Sequence, residues 1–202
     1  MNCFTREQIE TAVKSKDYLW FTSGDLNVNI VGVRNSDTKN EVTNKFDDCI
    51  TVSYKEDGEW QFKCFKCTTD PGTHWVENIM NEKGVAILKP GQYRGSHKLR
   101  LHQGRYLALG QQRPVTVYRD KNRDDKYDLD ENSTDTGLFG INIHRATKYA
   151  GKTSTQVDKW SAGCQVIASN DDWYEFLDIC QRARESWGNS FTYTLIESKD
   201  IV

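Results

Sequence analysis

Apolar positions change their spacing several times along the chain, and the changes mark out its elements. After Thr5, Ile9, Ala12 and Val13 recur at helical spacing, and Thr5 with Gln8 has the form of a capping box, so the first element reads as a helix. From Leu26 the period becomes two: Leu26, Val28 and Ile30 alternate with asparagines, the pattern of a half-buried strand. Ser36 to Asn44 is polar and reads as a surface loop. A hairpin follows, with Ile50, Val52 and Tyr54 on one face and Asp57-Gly58 as the turn. Trp60, Phe62 and Cys64 continue the alternation, which places Cys64 on the inward face.

Further strands are predicted around Gly84–Leu88, Lys98–Leu101 and Val115–Tyr118. Leu138–His144 also alternates, with Gly140, Asn142 and His144 on one face and Phe139, Ile141 and Ile143 on the other. The clearest helix comes late. Ser169 or Asn170 caps it, Asp171 and Asp172 favour its positive end, and Trp173, Phe176, Leu177, Cys180 and Ala183 form one apolar stripe. Gly188 ends it, and Phe191–Ile196 reads as a last strand. The expectation is an α+β chain rich in strands, with an N-terminal α+β extension or small module over 1–80 and a main domain over 81–202.

Composition narrows the function classes. The 202 residues are 37% hydrophobic and 28% charged, within the range of globular domains. Lys and Arg number 27 against 29 Asp and Glu, a net charge of −2 that gives no electrostatic case for nucleic acid. Apolar runs stay far below the ~20 residues needed to span a bilayer. The opening residues Met1 to Glu7 lack the apolar core of a signal peptide, so the expectation is a product of the cytoplasm whose six cysteines stay reduced. Each cysteine is then core filler, ligand or nucleophile.

The stretch from Gly140 to Ile167 carries the most chemistry. It holds Gly140-Ile141-Asn142-Ile143-His144-Arg145 and, after a polar loop, Trp160-Ser161-Ala162-Gly163-Cys164-Gln165-Val166-Ile167. A cysteine after two small residues, at the head of an apolar strand, has the local form of an exposed nucleophile. Small residues let the backbone approach a substrate, and amides there can hold an oxyanion. A thiol needs a base to ionise near neutral pH, and His144, opposite in phase to Ile141 and Ile143, is one candidate. Against that pairing stand a structural histidine and a buried filler cysteine.

A strand-borne histidine followed about twenty residues later by Ser-x-Gly-Cys resembles the YkuD-type L,D-transpeptidase catalytic domain, over roughly residues 84–197. The text from Tyr118-Arg119-Asp120 through His144-Arg145 to Val166 is also similar to bacteriophage-encoded proteins with a divergent form of that domain. The resemblance implies a β-rich sandwich or barrel, with Cys164 as nucleophile, His144 as base and the Gly163–Cys164 amides in the oxyanion hole. Substrate contacts would come from Arg145, Trp160, Ser161, Gln165 and Asn142. Two positions depart from the family: Ala162 stands where it usually has histidine, and Gln165-Val166 replaces a pair that ends in arginine. Arg145, or a residue elsewhere, would then meet the substrate carboxylate. The implied activity is acyl transfer on peptidoglycan stem peptides, as a peptidase if water resolves the thioester and a cross-linking transpeptidase if an amine does. The phage-like context favours hydrolysis, by a lysis protein or virion component acting on the host wall. A structural or binding protein that keeps the fold without the chemistry is the rival.

Two other constellations stand out. Asp120, Asn122, Asp124, Asp128 and Glu131 fall at positions 1, 3, 5, 9 and 12 of a calcium-loop spacing, although Asp125 stands where the turn normally has Gly. A structural Ca2+ bracing the strand toward His144 is one reading, a solvated acidic turn the other; no cofactor is required for catalysis in either. Cys64-Phe65-Lys66-Cys67 is a lone CxxC, which His74, His97 or His102 would have to complete as a zinc site. Trp20, Trp60 and Trp173 suit the core, Trp75 follows a turn that would line a groove, and Trp160 is placed to wall the substrate site.

Overall fold

In the computed structural model, which describes residues 4–201, the first helix, α1 (Arg6–Ser15), begins at the expected capping box. The Gln8 amide donates to Thr5 Oγ1 at 3.2 Å and the Thr5 amide to the Gln8 side chain at 3.0 Å. Cys3 lies outside the described residues. Next come β1 (Asn29–Arg34) and the predicted hairpin, β2 (Asp48–Glu56) and β3 (Glu59–Thr68), joined through Asp57-Gly58. The middle of the chain holds α2 (Thr73–Glu77), β4 (Val85–Leu88), β5 (Gly91–His102), β6 (Tyr106–Gln111), β7 (Val115–Asp120) and β8 (Thr134–Gly137). β9 (Ile143–Arg145), β10 (Gln165–Ile167), α3 (Asn170–Trp187) and β11 (Phe191–Glu197) complete it.

Eight strands close a barrel in the order β1-β11-β5-β6-β9-β10-β3-β2, and β4-β7-β8 form a separate antiparallel sheet. The expected boundary at residue 80 is therefore no break in the sheet. β1 pairs with β11 and β3 with β10, so the N-terminal strands help close the barrel that carries the C-terminal ones. A closed barrel leaves no unpaired edge, which explains why strands far apart in sequence must meet.

The hairpin faces differ from the expectation. Ile50, Val52 and Tyr54 point into the main core together with Phe65 and Cys67. Trp60, Phe62 and Cys64 lie on the opposite face, under α1, with Ile9, Val13, Val31 and Cys49. Two layers thus cover β1, and all six of its residues are buried. The CxxC cysteines accordingly point to opposite sides of β3, which removes the zinc reading for this pair. Among the described residues no helix is long and apolar enough to cross a membrane.

Across the barrel interior runs a polar strut. Gly32 in β1 has no Cβ, and one built there would lie 1.9 Å from the Tyr193 hydroxyl oxygen. The Tyr193 ring fills that space, and its hydroxyl donates to Gln165 Oε1 at 2.7 Å. A second buried polar group fixes the segment before β9: His97 is fully buried, and its Nε2 donates to the Ile141 carbonyl at 2.9 Å. Burial pushes the His97 imidazole down to about 4, and the Ile141 carbonyl opposes this only in part. His144 is held near the same value by burial. Both rings are neutral when folded and free to take a proton when unfolded, so their stabilisation is complete above the unfolded value and declines as pH falls below it. Between about pH 7 and about pH 5 each should lose about 2 kcal/mol. Urea denaturation across that interval tests this: stability should fall, and less steeply in His97→Gln. A flat wild-type profile would contradict it.

Candidate active site

Cys164 stands at the end of a tight turn immediately before β10. Ser161 builds the turn from within: it is fully buried, its hydroxyl accepts from the Gly163 amide at 3.1 Å and donates to the Cys164 carbonyl at 2.8 Å. Gly163 has φ +125°, and a Cβ there would sit 2.3 Å from the Ala86 carbonyl oxygen of β4. The small residues before Cys164 thus serve a close approach to a neighbouring strand. The Gly163 amide, expected in an oxyanion hole, is engaged by Ser161, and Ser161 itself positions the turn where a substrate contact was expected.

β9 and β10 run parallel, with Gln165 beside Ile143 and Val166 beside His144. The Gln165 amide donates to the Asn142 carbonyl at 2.9 Å, which extends the ladder by one residue and sets Cys164 beside Asn142. Alternation turns Ile143, Gln165 and Ile167 into the barrel and His144, Cys164 and Val166 outward. His144 and Cys164 therefore share one face, a diagonal step apart, and both line a cavity of about 470 Å3. Gln165, expected at the substrate, belongs to the interior: its exposure is 0% and its amide donates to the Thr69 and Gly163 carbonyls.

The His144 ring is tightly held. Its Nδ1 lies 2.9 Å from the Arg145 carbonyl oxygen, which requires a hydrogen on Nδ1 and leaves Nε2 bare. The Tyr106 hydroxyl is 3.4 Å from the same Nδ1. Burial pushes the imidazole down to about 4, the Arg145 carbonyl works against this, and the nearby His102 lowers it further. The Cys164 thiol donates to the Gly140 carbonyl at 3.3 Å. Burial raises the thiol to about 11, while the Asn142 amide favours the thiolate. The resting pair is thus neutral. Ionising either group alone leaves an uncompensated charge in a buried site; passing the thiol proton to the imidazole creates both charges together, and their attraction offsets part of that cost.

His102 completes the group. It ends β5, stacks on His144 with ring centroids 4.5 Å apart and planes at 24°, and its Nδ1 accepts from the Asn142 side chain at 3.4 Å. His102 and Cys164 both line the larger cavity and a second one of about 290 Å3, which Gly140 and Asn142 also border. The sequence offered His102 only as a zinc ligand; its signal was Gln103-Gly104, a hairpin turn that presents His102, Arg105 and Tyr106 together. Arg145 lies over the Tyr106 ring at 4.4 Å and donates to the Tyr174 hydroxyl at 3.0 Å. Trp160, 45% exposed, and Trp75 stand at the rim, and Trp75 Nε1 donates to the Lys159 carbonyl at 3.1 Å.

The acidic loop lies apart. Asn122 donates to Asp124 at 2.9 Å and to Asp128 at 3.0 Å, and the Asn122 and Asp128 amides donate to the Asp120 carboxylate. Glu131 is turned away, accepting from Tyr118 and paired with Lys89. Hydrogen bonds thus tie four of the five expected positions to one another, with the Asn122 side-chain amide nitrogen between the Asp124 and Asp128 carboxylates. Among the described residues no three His, Cys, Asp or Glu side chains are grouped to hold a metal ion. Comparison with family models, curated proteins and solved structures finds no match to this chain.

Gly163→Ala should lower stability by about 3 kcal/mol, because strain at positive φ adds to a backbone clash. A thermal melt checks it, and an unchanged midpoint would contradict the packing described. Cys164 is part-exposed and lines both cavities, whereas Cys180 is fully buried. Alkylation followed by peptide mapping should therefore find Cys164 modified before Cys180; equal rates for the two would mean that the cavity does not admit reagent.

Proposed function

We propose that the protein is a cysteine peptidase of L,D-transpeptidase-like type that cleaves amide bonds in peptidoglycan stem peptides. The single observation that carries this reading is the shared face of His144 and Cys164 on the parallel β9–β10 pair, both opening on one cavity. The Arg145 carbonyl adds support, since it leaves Nε2 as the nitrogen able to take a proton. In the proposed reaction the Cys164 proton passes to His144 Nε2 as sulfur attacks the substrate carbonyl. The Asn142 amide, directed at the sulfur, and the Cys164 amide would hold the oxyanion in place of Gly163. Collapse breaks the C–N bond, and the leaving amine takes the proton from the imidazolium. Water then attacks the thioester, giving its proton to His144, and the imidazolium returns that proton to sulfur as the acid departs.

On the resemblance to phage-encoded proteins read from the sequence, the role would be that of a lysis or virion-associated protein at the host wall. The acidic loop, if it takes Ca2+, would brace the chain between β7 and β8 without touching the reacting atoms. A second reading, a wall-binding protein without chemistry, is favoured by one observation: the Cys164 thiol donates to the Gly140 carbonyl, and burial favours the neutral form of both it and His144.

Mass analysis of muropeptides after incubation with purified sacculi separates the alternatives. Shortened or uncoupled stems are the expected products, whereas new cross-links would mark a transpeptidase. Cys164→Ala and His144→Ala should each fold and each reduce product formation by about a thousandfold or more. Undiminished turnover in Cys164→Ala would end the proposal, and a wild type that binds sacculi but releases nothing would favour the binding protein.

A further inference from the structure

The charged side chains around Cys164 are all of one sign. Arg105, Arg145 and Lys159 line the larger cavity, Arg100 lines the smaller, and no Asp or Glu lines either. That is an uneven distribution for a chain in which acids outnumber bases, 29 to 27. Ten cations elsewhere among the described residues are paired with acids, among them Arg34 with Asp70, Lys63 with Glu175, Arg119 and Lys83 with Asp135, and Arg182 with Glu56. Among the described residues none of the four cavity cations has an ion-pair partner within the protein.

Arg145 is also pre-arranged. Its guanidinium lies 4.4 Å from the Tyr106 ring centroid and 5.9 Å from that of Tyr174, and the Tyr174 hydroxyl takes one of its donors. Tyrosine contacts orient a guanidinium without neutralising it, so its remaining donors and full charge stay available to a ligand. A concave, aromatic-walled site with unmatched positive charge concentrates anions and repels ammonium groups.

We infer that the acyl donor is a polyanionic peptide, bearing two or more free carboxylates, and that Arg145, with Arg105 and Lys159, selects it over forms in which those carboxylates are amidated. This rests on the peptidase reading and names its substrate class: stem peptides with unamidated side-chain and terminal carboxyls. It also bears on how the thioester is resolved. An acceptor carrying an ammonium group is disfavoured beside these cations, whereas water is not, so the charge pattern favours hydrolysis over cross-linking.

The test uses full-length Cys164→Ala protein, which can bind but not react. It is titrated with a synthetic stem tetrapeptide carrying free carboxylates and with the same peptide fully amidated, following indole fluorescence of the rim tryptophans and heat by calorimetry. The free acid should bind about tenfold tighter or more, and the preference should shrink between about 0.05 and about 0.5 M salt. It should collapse when Arg145→Gln, or Arg105→Gln with Lys159→Gln, is added. Equal binding of the two peptides, binding of neither, or a preference that survives those substitutions would overturn the inference. Wild-type cleavage of the same two peptides reads the chemistry separately. Equal cleavage of both would sink the charge selection and leave the peptidase standing; charge-selective binding without cleavage would do the reverse.

Discussion

The site depends on one short contact, the parallel pairing of β9 with β10. Each strand has three residues, and in the backbone ladder β9 pairs with β6 at the single position Ile143 beside Leu109. In parallel strands, neighbours in register turn the same way, so setting Val166 beside His144 decides that Cys164 and His144 share the outer face. A slip of one residue would send one of them inside. Polar ties outside the ladder hold that register: Gln165 to Tyr193 across the interior, the His97 ring to the Ile141 carbonyl, and the Gln111 amide to the Asn142 side chain at 2.9 Å. Buried and satisfied, such ties specify one arrangement, because breaking any of them strands a polar group away from water.

The electrostatics around that contact point one way. Burial keeps the thiol and the imidazole neutral at rest, while the mouths of the cavities carry unmatched positive charge. An entering anion therefore meets attraction at the rim and a desolvated pair behind it. In the proposed reaction those cations would act on the carboxylates of the substrate, while backbone amides beside Cys164 hold the developing oxyanion.

Local structure was largely legible in the sequence, and long-range structure was not. Both long helices were marked by their caps and apolar stripes, and the 50s hairpin by its turn. The stretch before His144 misled, because its alternation suggested a strand from Leu138, yet the Phe139 and Ile141 amides donate to the Gln111 side chain instead of a neighbouring strand. The outward face of β3 was misread because α1 covers it, giving both faces of the strand apolar cover. Ser161 and Gln165 were placed at the substrate by resemblance alone; only the tertiary fold shows one closing a turn and the other bridging the barrel. The Gln103-Gly104 turn sets His102, Arg105 and Tyr106 together, but it is barrel closure that brings them to the cavity of Cys164.

The most direct test is nitrogen NMR of the His144 ring across pH, before and after carboxamidomethylation of Cys164. The account predicts a ring protonated at Nδ1 and bare at Nε2 from neutral pH downward, titrating near 4, with resonances that shift when the sulfur is modified. A His144 signal indifferent to modification of Cys164, or an imidazole that titrates at the ordinary value of exposed histidine, would contradict it.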